Sequence, residues 1–160
     1  MATIINPADI LSDEAIEVVI PVQGNYRYNR LYICHGIVVI NWGVDGDNFD
    51  NGRLEFTIPD PKPEETEIDP DTKTPRPVLD LPPSLRFAKP DYVGDAITSS
   101  VALASIEAED NDWGFHVNSC EAFFDSTERI KVIVEVEAKA KSGVLGSLAY
   151  NVSFLARRGP

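Results

Sequence analysis

ERIKVIVEVEAKAKSGVLGSLAYNVSFLA, residues 128–156, is the stretch that decides the fold. From Glu128 to Lys141 one parity holds Ile130, Val132, Val134, Val136 and Ala138, and the other holds Lys131, Ile133, Glu135, Glu137 and Lys139. A period of two, with one apolar face and one mostly charged face, is what a strand half-buried in an antiparallel sheet requires. After a Ser142-Gly143 turn the pattern resumes with Leu148, Tyr150, Val152 and Phe154 opposite Ala149, Asn151 and Ser153. The segment therefore reads as a β-hairpin.

Working outward, the rest of the chain adds strands at short spacings. Leu31 to Trp42 is the longest apolar run, dense in Ile and Val, and such a strand is expected at the centre of a sheet, covered on both faces. Gly36 inside it marks a bulge or a close backbone approach. Ile16 to Val22, Arg53 to Ile58, Ile97 to Glu107 and Trp113 to Phe124 also read as strands, the last broken near Asn118-Ser119. Asp45-Gly46 and Asn51-Gly52 are turn dipeptides. Asp125-Ser126-Thr127 is a third turn. Only Asn6-Pro7-Ala8-Asp9 carries a helix-start signal, with an Asn cap and Pro at the first helical position, and predicts a short helix to about Asp13. Seven or eight strands with turn signals between them make the expected fold a single all-β domain. It is an antiparallel β-sandwich, jelly-roll or immunoglobulin-like, over 1–160. The immunoglobulin Cys-to-Trp spacing is absent, because Trp42 follows Cys34 by eight residues.

Residues 59–90 differ in kind. They hold nine of the twelve prolines and the acids Asp60, Glu64, Glu65, Glu67, Asp69 and Asp71. Proline removes ladder donors and the acids repel one another, so this stretch is expected to be an extended, proline-rich acidic excursion rather than a central strand. Such an arm is suited to lie across neighbouring subunits.

A chain of 160 residues fits one domain, and a 43% apolar content is enough for a packed core. The net charge of −12 argues against a nucleic-acid partner, which needs clustered Lys and Arg, and favours solubility and cationic or basic partners. No apolar run reaches the roughly 20 residues needed to span a bilayer, so no membrane partner is expected. Met1 to Pro7 has neither a basic segment nor a long apolar one of the kind a secretory signal carries. The expectation is folding in a reducing cytoplasm, with Cys34 and Cys120 as buried thiols.

Chemistry-bearing patterns are few. The loop Asp45-Gly46-Asp47-Asn48-Phe49-Asp50 offers oxygens to Ca²⁺ through Asp45, Asp47 and Asp50, although Asp50 stands where an EF-hand requires Gly. The same loop also reads as a solvated turn, and Glu109-Asp110-Asn111-Asp112 has the same two readings. Zinc is argued against by geometry. Cys34 and His35 leave a strand on opposite faces, and His116 and Cys120, of like parity, are roughly 13 Å apart. No nucleophile elbow, catalytic-cysteine signature or phosphate loop is present, so the chain is expected to be non-catalytic and to need no cofactor. The binding candidate is an aromatic group, Tyr26, Tyr28, Tyr32 and Trp42 with Arg30, whose Tyr and Arg content matches many binding faces. The same aromatics also read as a cap on the sandwich core.

Residues 86–156 resemble an H-type lectin domain. The resemblance is carried by Arg86-Phe87-Ala88-Lys89-Pro90, by Val101 to Glu109, and by Tyr150-Asn151-Val152-Ser153-Phe154-Leu155-Ala156. It implies a six-stranded antiparallel sandwich that binds galactose-type sugars and assembles as trimers or hexamers. The chain departs from the family at Phe154, where Trp is usual, and lacks the second Pro after Phe87. No sugar-contact position carries over, and the first 85 residues have no counterpart. Two functional expectations result. The first is a structural or assembly protein, forming homo-oligomers or decorating a particle such as a phage or virus capsid or tail. The alternative is a lectin-type module that binds a glycan.

Overall fold

Alternation becomes burial. The computed structural model describes residues 2–20, 28–58, 66–77, 90, 92–126 and 129–157. Its strands are β1 (Thr3–Ile5), β2 (Asp9–Val19), β3 (Arg30–Val44), β4 (Asp50–Ile58), β5 (Thr66–Ile68), β6 (Pro75–Pro77), β7 (Tyr92–Glu107), β8 (Gly114–Phe124), β9 (Ile130–Lys139) and β10 (Gly143–Arg157). Ile130, Val132, Val134, Val136 and Ala138 point inward from β9, and Leu148, Tyr150, Val152, Phe154 and Ala156 point inward from β10; all are buried.

Two four-stranded sheets result, in the orders β1-β4-β9-β8 and β2-β3-β10-β7. All pairings in them are antiparallel except β1 on β4. The molecule is thus the expected all-β sandwich. β3 pairs with β10 in one sheet and β4 with β9 in the other, and β7 and β8 flank them. Phe56 of one sheet meets Tyr150 of the other at 5.3 Å between ring centroids, and Phe124 meets Phe154 edge-on at 5.3 Å. Each fully buried Val, Leu or Ile in this core contributes about 1.5–3 kcal/mol.

Several expectations are corrected. The two strands of 128–156 do not form a hairpin. β9 belongs to one sheet and β10 to the other, and the Ser142-Gly143 corner carries the chain between them. Both apolar faces still point into one core, which is why the alternation alone does not distinguish a hairpin from a crossing. Gly143 is required at the corner, since a Cβ there would run into Ala140 Cβ.

No helix forms at Asn6 to Asp13. Ala8 N donates to Val39 O at 2.7 Å, and Asp9 to Leu11 pair with Val39 to Ile37. The open edge of β3 supplies ladder partners along this stretch, and tertiary pairing overrides a local cap signal.

Asn51-Gly52 is not a turn either, but lies within β4. Gly52 is there for space: a Cβ would sit 2.5 Å from Ile5 Cδ1 and 3.1 Å from Trp42 Cη2. At Gly36 the irregularity falls on the neighbouring strand, where Ser12 and Asp13 of β2 oppose the single residue Gly36. The break expected near Asn118-Ser119 is a bulge, with Asn118 as the extra residue between the Val117 and Ser119 pairs.

Of the 59–90 excursion, 59–65 and 78–89 lie outside the described residues. Inside it, β5 and β6 pair, among the described residues, only with each other. Asp69 Oδ1 accepts hydrogen bonds from Asp71 N (2.8 Å) and Thr72 N (3.3 Å), and Lys73 takes φ 58°, closing the turn.

Candidate functional site

The sandwich presents two solvent faces of opposite character. On the outer face of β4, β9 and β8, cross-strand rows place charges together. Arg53 Nη1 donates to Glu135 Oε1 at 3.1 Å and its Nη2 to Glu55 Oε1 at 3.3 Å, while Lys131 Nζ lies 3.1 Å from Glu55 Oε2. Hydrogen bonds from Lys131 and then Arg53 hold the Glu55 carboxyl below the usual range, and Glu55 in turn raises Arg53. One row on, His116 Nε2 lies 2.6 Å from Glu137 Oε2, and Phe49 stacks on the imidazole at 4.6 Å. Phe49 lies flat over Gly114, where a Cβ would be 2.8 Å from its ring, with Lys139 Nζ 5.5 Å from the ring centroid. These contacts pin the β3–β4 loop to the sheet.

The outer face of β3, β10 and β7 is the reverse. Cross-strand register aligns Val18, Leu31 and Leu155, and next to them Ile16, Ile33 and Ser153. Ile16, Val18 and Leu155 are 44%, 41% and 39% exposed. Farther along, the outward residues become small. His35, Ile37, Ala149, Asn151, Ser100 and Ala102 line a shallow depression of about 640 Å³. Among the described residues, the outward positions of β3 from 31 to 39, of β10 from 149 to 155 and of β7 from 98 to 104 hold no Asp, Glu, Lys or Arg. Their polar groups are neutral and partly satisfied by one another, as in the 2.6 Å Thr98–Ser153 hydroxyl contact.

The binding candidates read from sequence are spread out. Tyr26 lies outside the described residues. Tyr28 is half-buried beside Gly94, and Arg30, also half-buried, donates to Asn29 O at 2.9 Å. Tyr32 is in the core, stacked on Phe154. Trp42 packs over Gly52 at the far end of the same strand, roughly 33 Å from Tyr32 at strand rise. The described members, Tyr28, Tyr32 and Trp42, do not share one surface.

Both acidic loops come to one end of the sandwich, tied by the β9–β10 corner. Ser142 N donates to Asp45 Oδ1 at 2.9 Å, Gly46 N to Ala140 O at 3.2 Å, and Glu109 N to Lys141 O at 3.0 Å. Asp45, Asp47 and Asp50 do not converge: among the described residues no three His, Cys, Asp or Glu side chains form a metal-holding group. The bulge at Asn118 also changes the zinc geometry. His116 faces solvent while Cys120 packs against the core, so the two leave opposite faces rather than sharing one. Cys34 and Cys120 are thiols, and burial pushes the Cys120 thiol up against a smaller opposing contribution from Ser99.

Sequence reasoning missed the charge-free face. Its signal lies in the apolar residues at both parities of 31–40, a pattern that a strand buried on both sides shares. Comparison with protein-family models, with curated proteins and with solved structures finds no match for this chain.

Proposed function

We propose that this chain is a non-catalytic structural or assembly protein, one that forms homo-oligomers or decorates a larger particle such as a phage or virus capsid or tail. One observation carries the reading. A chain of net charge −12 keeps the middle of the outer face of three adjacent strands free of charge among the described residues and leaves Ile16, Val18 and Leu155 exposed there. An acidic protein that worked alone would gain solubility from charges there, and exposed apolar patches rimmed by polar residues mark contact surfaces. The test is the mass in solution by light scattering over about 10 to about 500 µM, the range in which weak assemblies form. Masses above the 17.6 kDa monomer support the reading. Deleting residues 60–77 in parallel separates assembly through the proline-rich arm, which the deletion would abolish, from assembly through the sheet face, which it would spare.

A lectin-type module is the second reading. It is supported by two exposed rings at the acidic end, Phe49 and Trp113, the latter adjacent in sequence to the Gly114 that Phe49 covers. Exposed aromatic faces beside carboxylates suit sugar C–H faces and hydroxyls. Saturable glycan-array binding lost in Phe49→Ala and Trp113→Ala supports this reading, and a blank array rejects it.

A further inference from the structure

We propose that the outer face of β3, β10 and β7 docks a second copy of this chain, face to face, in a two-fold dimer. The inference rests on the assembly reading and names its partner. Charge selects the occupant. A basic partner would be drawn to the acidic loops, and would gain nothing from a neutral face. A second copy of a −12 chain is the partner for which a charge-free approach matters most, because two copies that meet through their acidic ends bring like charges together.

Shape and orientation agree. A two-fold axis lying in the face and running across the strands lays the Leu31 end of one copy against the Val39 end of the other. Leu31 and Leu155 of one copy then lie over Val39 and the small residue Ser147 of the other, and the reciprocal contact follows from the symmetry. The same operation brings Arg157, exposed at one end of the face, towards the end that carries Asp9.

The area suffices for a modest affinity. Three strands about 4.8 Å apart, nine positions long at about 3.3 Å each, with the exposed end of β2, give roughly 500 Å² per copy. The pair then covers about 1,000 Å², the lower limit for a specific interface, so the dimer is concentration-dependent rather than obligate.

The experiment is sedimentation equilibrium of the wild type beside Ala102→Glu, Leu155→Glu and Phe123→Glu. The first two put a charge on the proposed face at exposed positions. The third adds the same charge to an exposed position on the opposite sheet, so it controls for net repulsion. Circular dichroism shows which variants are folded. Dimerisation by the wild type and Phe123→Glu, with at least about a tenfold weaker association in Ala102→Glu and Leu155→Glu, supports the proposal. An oligomer that survives both face variants overturns this interface while leaving the assembly reading intact. A wild type that stays monomeric throughout overturns the second-copy proposal together with the homo-oligomer half of that reading, and leaves the face to a different macromolecule.

Discussion

Gly52 shows how a single missing methyl shapes one end of the core. Trp42 and Ile5 close over the bare backbone of β4, and any Cβ at 52 meets both. Gly52→Ala should therefore cost about 1–3 kcal/mol, the usual scale of overpacking, whereas Gly43→Ala, with nothing within 4 Å of its Cβ, should cost far less. Urea unfolding of the two variants checks the contrast, and equal losses would show that Trp42 moves aside freely. The Asn-Gly dipeptide at 51–52 gave no sign of this. Its turn signal is a backbone preference, and the need for Gly comes from residues ten and forty-seven positions away in the chain.

On the scale of elements, the outer face of β4 and β9 works as a lattice of exposed ion pairs, individually weak and dependent on pH. The Glu55 carboxyl is held low by Lys131 and Arg53, so the unfolded chain takes up its proton first as the pH falls. Stability from this group is present above its ordinary value of 4.5 and is lost as the pH drops through the lower folded-state value. Glu55→Gln should accordingly flatten the fall in stability as the pH drops below 4.5, measured by denaturant midpoints across the acid range. An unchanged acid slope would show that Lys131 and Arg53 leave Glu55 to the solvent. Strand existence and inward faces were legible throughout, because Ile130 to Ala138 and Leu148 to Phe154 alternate cleanly. Pairing was not. Whether β10 joins β9 or β3 depends on which long strand offers a matching edge, and no local pattern records that. Tyr32 and Trp42 separate for a related reason: they sit close enough in sequence to suggest a cluster, but an extended strand holds them far apart.

For the whole molecule, the winding entwines the two halves of the sequence. The described strands before Lys73 in the two large sheets are β1 to β4, and those after it are β7 to β10. Two internal seams, β3 with β10 in one sheet and β4 with β9 in the other, each join one strand from either half. Asp71, Thr72, Lys73 and Thr74 form the exposed tip of the β5–β6 ribbon, which takes no part in either sheet. Brief trypsin treatment should cut after Lys73 while the product still elutes as one particle with native circular dichroism, and separation of the fragments without denaturant would refute this. The ribbon therefore marks a natural division for a split reporter: residues 1–73 and 74–160, produced as separate polypeptides, would find one another and restore the sandwich through seams that no peptide bond holds together.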